Sequence, residues 1–224
     1  MDNLNQWCFA WFEASRGEGR DRAALWLKAK WTAGQVITIS FLEGDPSLHQ
    51  RIEKVARQWI DAGRANLLFD FRQDTTKTDI RIAFSRPGSW SVLGTTCKSV
   101  TDTAEPTMNF GWLTPHSSDA ELERVVLHEF GHALGLVHEH QHPAGGIKWN
   151  KAAVYADLYP AWSYDKIDRN IFDTIEPAEA AMTSLDPQSI MMYPLKKSWT
   201  LDGFSTNLNT KLSPTDITFI RNIY

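Results

Sequence analysis

The chain has 224 residues, 42% hydrophobic and 22% charged, enough for one domain that buries a real core. Its formal charge of −4 and pI near 6.0 give no reason to expect nucleic acid or an anionic membrane as partner. No apolar run approaches the ~20 residues of a membrane span, and two cysteines, Cys8 and Cys97, are too few for a disulfide scaffold.

Met1 opens onto Asp2-Asn3-Leu4-Asn5-Gln6, neither basic nor apolar, so no signal peptide is expected. Leu4, Trp7, Cys8 and Trp11 fall on one helical face, and a second helical run, Ala23 to Lys30, follows a break at Gly17–Gly19. Residues 1–34 therefore read as a helical segment set apart from residues 35–224. Cys8 reads as a small residue packed among tryptophans or as half of a disulfide with Cys97.

Val36 to Leu42 alternates Ile37, Ile39 and Phe41 against Thr38 and Ser40 and reads as a strand. Asp45-Pro46 then starts a helix as N-cap and first-turn proline, with Leu48, Ile52, Val55 and Trp59 as its apolar face and Gly63 its stop. Leu67 to Phe71 and Asp79 to Phe84 are the next strands. This order begins a mixed, twisted sheet with a crossover helix, an α/β fold of α+β type. Thr107 to Leu113 alternates Met108, Phe110 and Trp112 against small or polar residues and reads as a further strand.

Ser118-Asp119-Ala120-Glu121 is a capping box before a helix that is apolar on most sides and so reads as buried. That helix carries His128-Glu129-Phe130-Gly131-His132-Ala133-Leu134-Gly135-Leu136-Val137-His138, which fits H-E-x-x-H-x-x-G-x-x-H at every fixed position. Residues four apart on a helix sit about 40° apart and about 6 Å along the axis. His128 and His132 can therefore share one Zn²⁺, and Glu129 is placed to act on water rather than on the metal. In a continuing helix His138 would lie about 9 Å beyond His132 and about 240° round from it. The chain must turn back, and Gly135 accepts the left-handed conformation that ends a helix. The result is three nitrogen ligands with an open position, as a catalytic zinc requires.

This motif resembles that of the metzincin zinc endopeptidases. Ser189-Ile190-Met191-Met192-Tyr193 is similar to the astacin-type Met-turn, and Glu139 after His138 also matches the astacin pattern. The resemblance spans roughly Gln35 to Tyr224. It implies one catalytic zinc held by His128, His132 and His138, with Glu129 as general base. Tyr193 is implied as a further ligand or hydrogen-bond donor to the transition state. It also implies an upper part of about 35–135 and a lower part of about 136–224. The substrate is implied to be a protein or peptide, bound extended along an edge strand at 107–113. Such proteins are secreted and are often held latent by an upstream Cys or Asp, which gives Cys8 a third reading.

Beyond His138 strand signals are few and turn residues many, from Pro143 to Pro194, so this part is expected to be irregular until a last helix capped by Ser213 and Pro214. His49 and His116 read as ordinary core or surface residues, and His140 and His142, in a polar loop after the motif, as surface residues rather than ligands. In metzincins the stretch after the Met-turn lines the pocket for the residue following the cut. Lys196 or Lys197 would favour an acidic residue there, unless both are simply solvated. A monomer is expected. The function expected is zinc-dependent hydrolysis of peptide bonds; the competing class is a zinc-stabilised interaction module that does not hydrolyse.

Overall fold

β-branched and aromatic alternation produces the strands where expected. Residues 8–11, 29–73, 77–142, 145–174 and 184–224 are described in the computed structural model. β1 (Cys8–Trp11), β2 (Val36–Phe41), β3 (Leu68–Arg72), β4 (Ile80–Ala83), β5 (Ser89–Val92) and β6 (Met108–Phe110) form one sheet in the order β1-β5-β6-β4-β2-β3. β2 pairs in parallel with β3 and β4, and β4 with β6. β5 alone runs antiparallel to β6 and takes β1 alongside it in parallel. The mixed sheet is thus present.

Two expectations are corrected here. Residues 8–11 are a strand rather than part of a helix, because pairing with β5 supplies the backbone partners that a short local period cannot secure alone. The helical run expected over 23–30 lies outside the described residues except for Ala29 and Lys30, which are not helical. The stretch 107–113 is not an edge: β6 has β4 on one side and β5 on the other. The missed strand β5, a Ser-Trp-Ser-Val stretch with two serines facing the core, carries too weak an apolar pattern to be read locally.

Helices α1 (Pro46–Ala56) and α2 (Gln58–Gly63) connect β2 to β3. Asp45 caps α1 by accepting from the Ser47 amide, and Leu48, Ile52, Val55 and Trp59 are all buried. α3 (Asp119–Ala133) opens on Ser118, whose hydroxyl accepts from the Glu121 amide. Glu121 does not complete the box; its carboxylate takes Arg124 and the Trp112 indole instead. Leu122, Val125, Val126, Leu127 and Phe130 of α3 lie in the main core between helices and sheet. Cys97 joins that core as a free thiol, and burial pushes its pKa up to about 12; the side chain of Cys8 lies outside what the structure describes.

A second apolar cluster gathers Val154, Leu158, Trp162, Ile167, Ile171, Phe172, Tyr193, Leu195 and Trp199. It is more regular than expected, with α4 (Lys151–Leu158) and α5 (Tyr164–Ile167) followed by a π-helical turn, Asp168–Phe172. Only Val154 and Leu158 of α4 are buried, too sparse a stripe to announce a helix. α6 (Pro214–Ile223) closes the chain with the expected capping box at Ser213 and Asp216.

Candidate metal centre

α3 aims two imidazoles at one point, and the turn after it brings a third. Its cap residue is Leu134, and Gly135 follows at φ 93°, so the reversal occurs at the glycine. The carbonyls left open there are met from far away: the Trp31 indole donates to Ala133 O at 2.8 Å and the Tyr224 hydroxyl to Leu134 O at 2.6 Å. His128, His132 and His138 then converge, with ligand atoms all within 4.8 Å of one another, each residue buried.

The donor chemistry fits a metal. His128 Nδ1 lies 2.9 Å from Ile190 O and His132 Nδ1 lies 2.8 Å from Leu136 O. A carbonyl only accepts, so both rings carry their proton on Nδ1 and present an Nε2 lone pair to the site. His132 Nε2 and His138 Nε2 stand 3.2 Å apart; two nitrogens on a tetrahedral zinc at ~2.05 Å would be about 3.3 Å apart. His128 Nε2 is buried with no hydrogen-bond partner among the described residues. Burial is also the main reason that the His132 pKa falls to about 4 and those of His128 and His138 lie well below the usual value. The rings are thus kept neutral, as ligands must be. Glu129, fully buried, follows the first ligand on the same helix.

The stretch 189–193 packs against α3 through Met191. A Cβ on Gly131 would come within 2.3 Å of the Met191 sulfur, so any larger residue there would have to push the Met191 side chain aside. The Glu139 amide donates to Met191 O at 3.0 Å. The Glu139 carboxylate accepts from the Asp186 amide, and burial raises its pKa to about 7. Asp216 reaches across from α6: its carboxylate accepts from Ser189 Oγ at 2.7 Å, Ile190 N at 2.8 Å and Ser213 N at 2.9 Å. Burial pushes its pKa up despite those donors. One residue therefore links Asp216 to His128, since the Ile190 amide donates to the first and its carbonyl accepts from the second. In the sequence Asp216 shows only as a helix-cap residue; its reach to residues 189 and 190 is a tertiary contact without a local signal.

Tyr193 is brought to the centre, its ring centroid 4.3 Å from that of His138 and 6.1 Å from that of His128. His116 is exposed, and His49 stacks on Phe41 at 3.9 Å, both as expected. His142 is half-buried. His140 is not a surface residue. It is 3% exposed and stacked against Tyr193 at 4.6 Å, because the residues after His138 fold back into the second cluster rather than out to solvent. Lys196 bonds Asp157 at 3.2 Å, and the same carboxylate takes the Trp199 indole.

Two solved structures are similar to the chain. One is a structure of myroilysin, with a TM-score of 0.83 and 41% identity, covering 88% of this chain and 96% of that one. Another is a crystal structure of myroilysin, with a TM-score of 0.68 and 38% identity, covering 97% of this chain and 90% of that one. No protein-family model and no curated protein matches the sequence.

Proposed function

Since the chain belongs to the myroilysin family and is a metalloprotease, we propose that it is a zinc-dependent, astacin-like endopeptidase with Glu129 as general base and Tyr193 as oxyanion donor. The observation that carries this reading is the convergence of three buried, neutral imidazoles on one point. His128, His132 and His138 would hold the zinc. Once bound, the metal supplies Lewis acidity, lowering the pKa of a coordinated water to about 7 and polarising the scissile carbonyl.

The protein's own groups do the rest. Glu129 takes the proton of the attacking water and returns it to the leaving amine nitrogen. Tyr193 donates a hydrogen bond to the oxygen that gains negative charge as the carbonyl becomes tetrahedral. The carbonyls of Ile190 and Leu136 hold two imidazoles in the tautomer that keeps Nε2 free to ligate. The test is digestion of a denatured protein by the wild type beside Glu129→Ala, with cleavage sites read by mass spectrometry. The variant should keep zinc and lose about 10²–10⁴ in rate. Wild-type cleavage by Glu129→Ala would end the general-base assignment, and no cleavage by the wild type would favour a non-hydrolytic zinc module.

An extended substrate would add its backbone to β5, which runs antiparallel to β6. β1 lies on that edge, so such a substrate must displace it. A chain lacking residues 1–28 should then show a higher kcat/KM than the full chain. An unchanged value would mean that the peptide binds elsewhere.

A further inference from the structure

His140 is a buried imidazole that the proposed reaction leaves without a task. It lies outside the cluster of metal-ligating nitrogens formed by His128, His132 and His138. Its Nε2 lies 2.8 Å from Asn170 O, and because a carbonyl only accepts, Nε2 carries the proton. Nδ1 then bears the lone pair, and it is buried without a hydrogen-bond partner among the described residues. A site selected for packing alone would take an apolar ring and leave no nitrogen unsatisfied. What an imidazole adds here is the anchor to Asn170, which fixes the plane of the ring.

That plane faces Tyr193. The two rings are stacked at 4.6 Å and 27°. His138 closes the triangle, 4.3 Å from Tyr193 and 5.3 Å from His140. Trp149 meets His140 edge-on at 6.3 Å from another side. The anchor itself is firm. The π-helical turn Asp168–Phe172 turns two consecutive carbonyls outward, Asn170 O to His140 and Arg169 O to the Gln141 side chain. π-Helical turns often occur where a protein gives up regular bonding to place a functional group.

We infer that His140 is a positioning residue for Tyr193: the turn at 168–172 orients the imidazole, and the imidazole orients the phenol beside the metal site. This rests on the proposed oxyanion role of Tyr193. Position separates it from a ligand role, since His140 is not among the residues whose nitrogens converge at the centre.

The experiment is a double-mutant cycle on the zinc-loaded enzyme with His140→Ala, Tyr193→Phe and both together, with zinc content and the NMR shifts of Tyr193 ring protons as further readouts. His140→Ala should keep one zinc, lower kcat by about tenfold with little change in KM, and cost less than about twofold once Tyr193 is already Phe. In the metal-free protein it should also move the Tyr193 ring-proton shifts, because a stacked ring is removed. His140→Phe, which restores a ring but not the anchor, should fall between Ala and wild type. Full additivity of the two substitutions, loss of zinc from His140→Ala or unmoved Tyr193 shifts would each overturn the inference. Should His140→Ala not fold, His140→Phe is taken through the same cycle, and full additivity there overturns the inference as well. An unchanged kcat in Tyr193→Phe instead removes the oxyanion role on which the inference stands, whatever His140 does.

Discussion

His128 and His132 stand on α3, whereas His138, His140 and Tyr193 stand on chain outside any α-helix. On the helix, spacing and backbone bonding already define where the two imidazoles go, and a carbonyl at Nδ1 locks each ring. On the other side no regular ladder defines a direction. There the rings of His138, His140 and Tyr193 hold one another at 4.3–5.3 Å, and a π-helical turn anchors the group through one hydrogen bond. The helical half gains its order from local structure and the other half from contacts that exist only once the second apolar cluster has formed. The first should tolerate little change without loss of metal; in the second, His140 and Tyr193, which are not ligands in this reading, should lose catalysis before metal is lost.

The largest effect should come from the helical half. His132→Ala should take zinc content from close to one per chain to near zero after dialysis, with proteolysis lost alongside it. Full occupancy in that variant would show that the helix is not the anchor of the site. Tyr193→Phe probes the other half. It should leave zinc in place and lower kcat by about 10–10³-fold with a much smaller change in KM. If zinc is lost instead, the two halves do not differ in the way described.

Asp216→Ala tests the link between them, since Asp216 holds the stretch at 189–190 and orients His128 through Ile190. Removing the carboxylate strips buried donors at Ser189, Ile190 and Ser213 of their acceptor and should lower unfolding free energy by about 3 kcal/mol. Denaturant unfolding of the metal-free protein measures this directly. A loss below about 0.5 kcal/mol would mean that this stretch holds itself.

Much of the metal centre was legible before folding, because its chemistry is written at helical spacing. His128, Glu129 and His132 follow from a four-residue period, His138 from the glycine that must break it, and Asp45, Ser118 and Ser213 from side chains that bond their own neighbouring amides. Such signals are local, and they survive in a bare sequence. Only the tertiary structure decided the rest. The family resemblance implies a sheet edge at 107–113, yet β6 lies between β4 and β5; alternation shows that a strand exists but not what lies beside it. Residues 8–11 became a strand through pairing with a segment about eighty positions away. Asp216, a helix cap by sequence, supports residues 189 and 190 from across the fold. His140, polar and set among turn residues, is buried because Tyr193, Trp149 and the turn at 168–172 close around it. These placements depend on contacts between residues distant in the chain, and no local period or cap encodes which distant partner a side chain will meet.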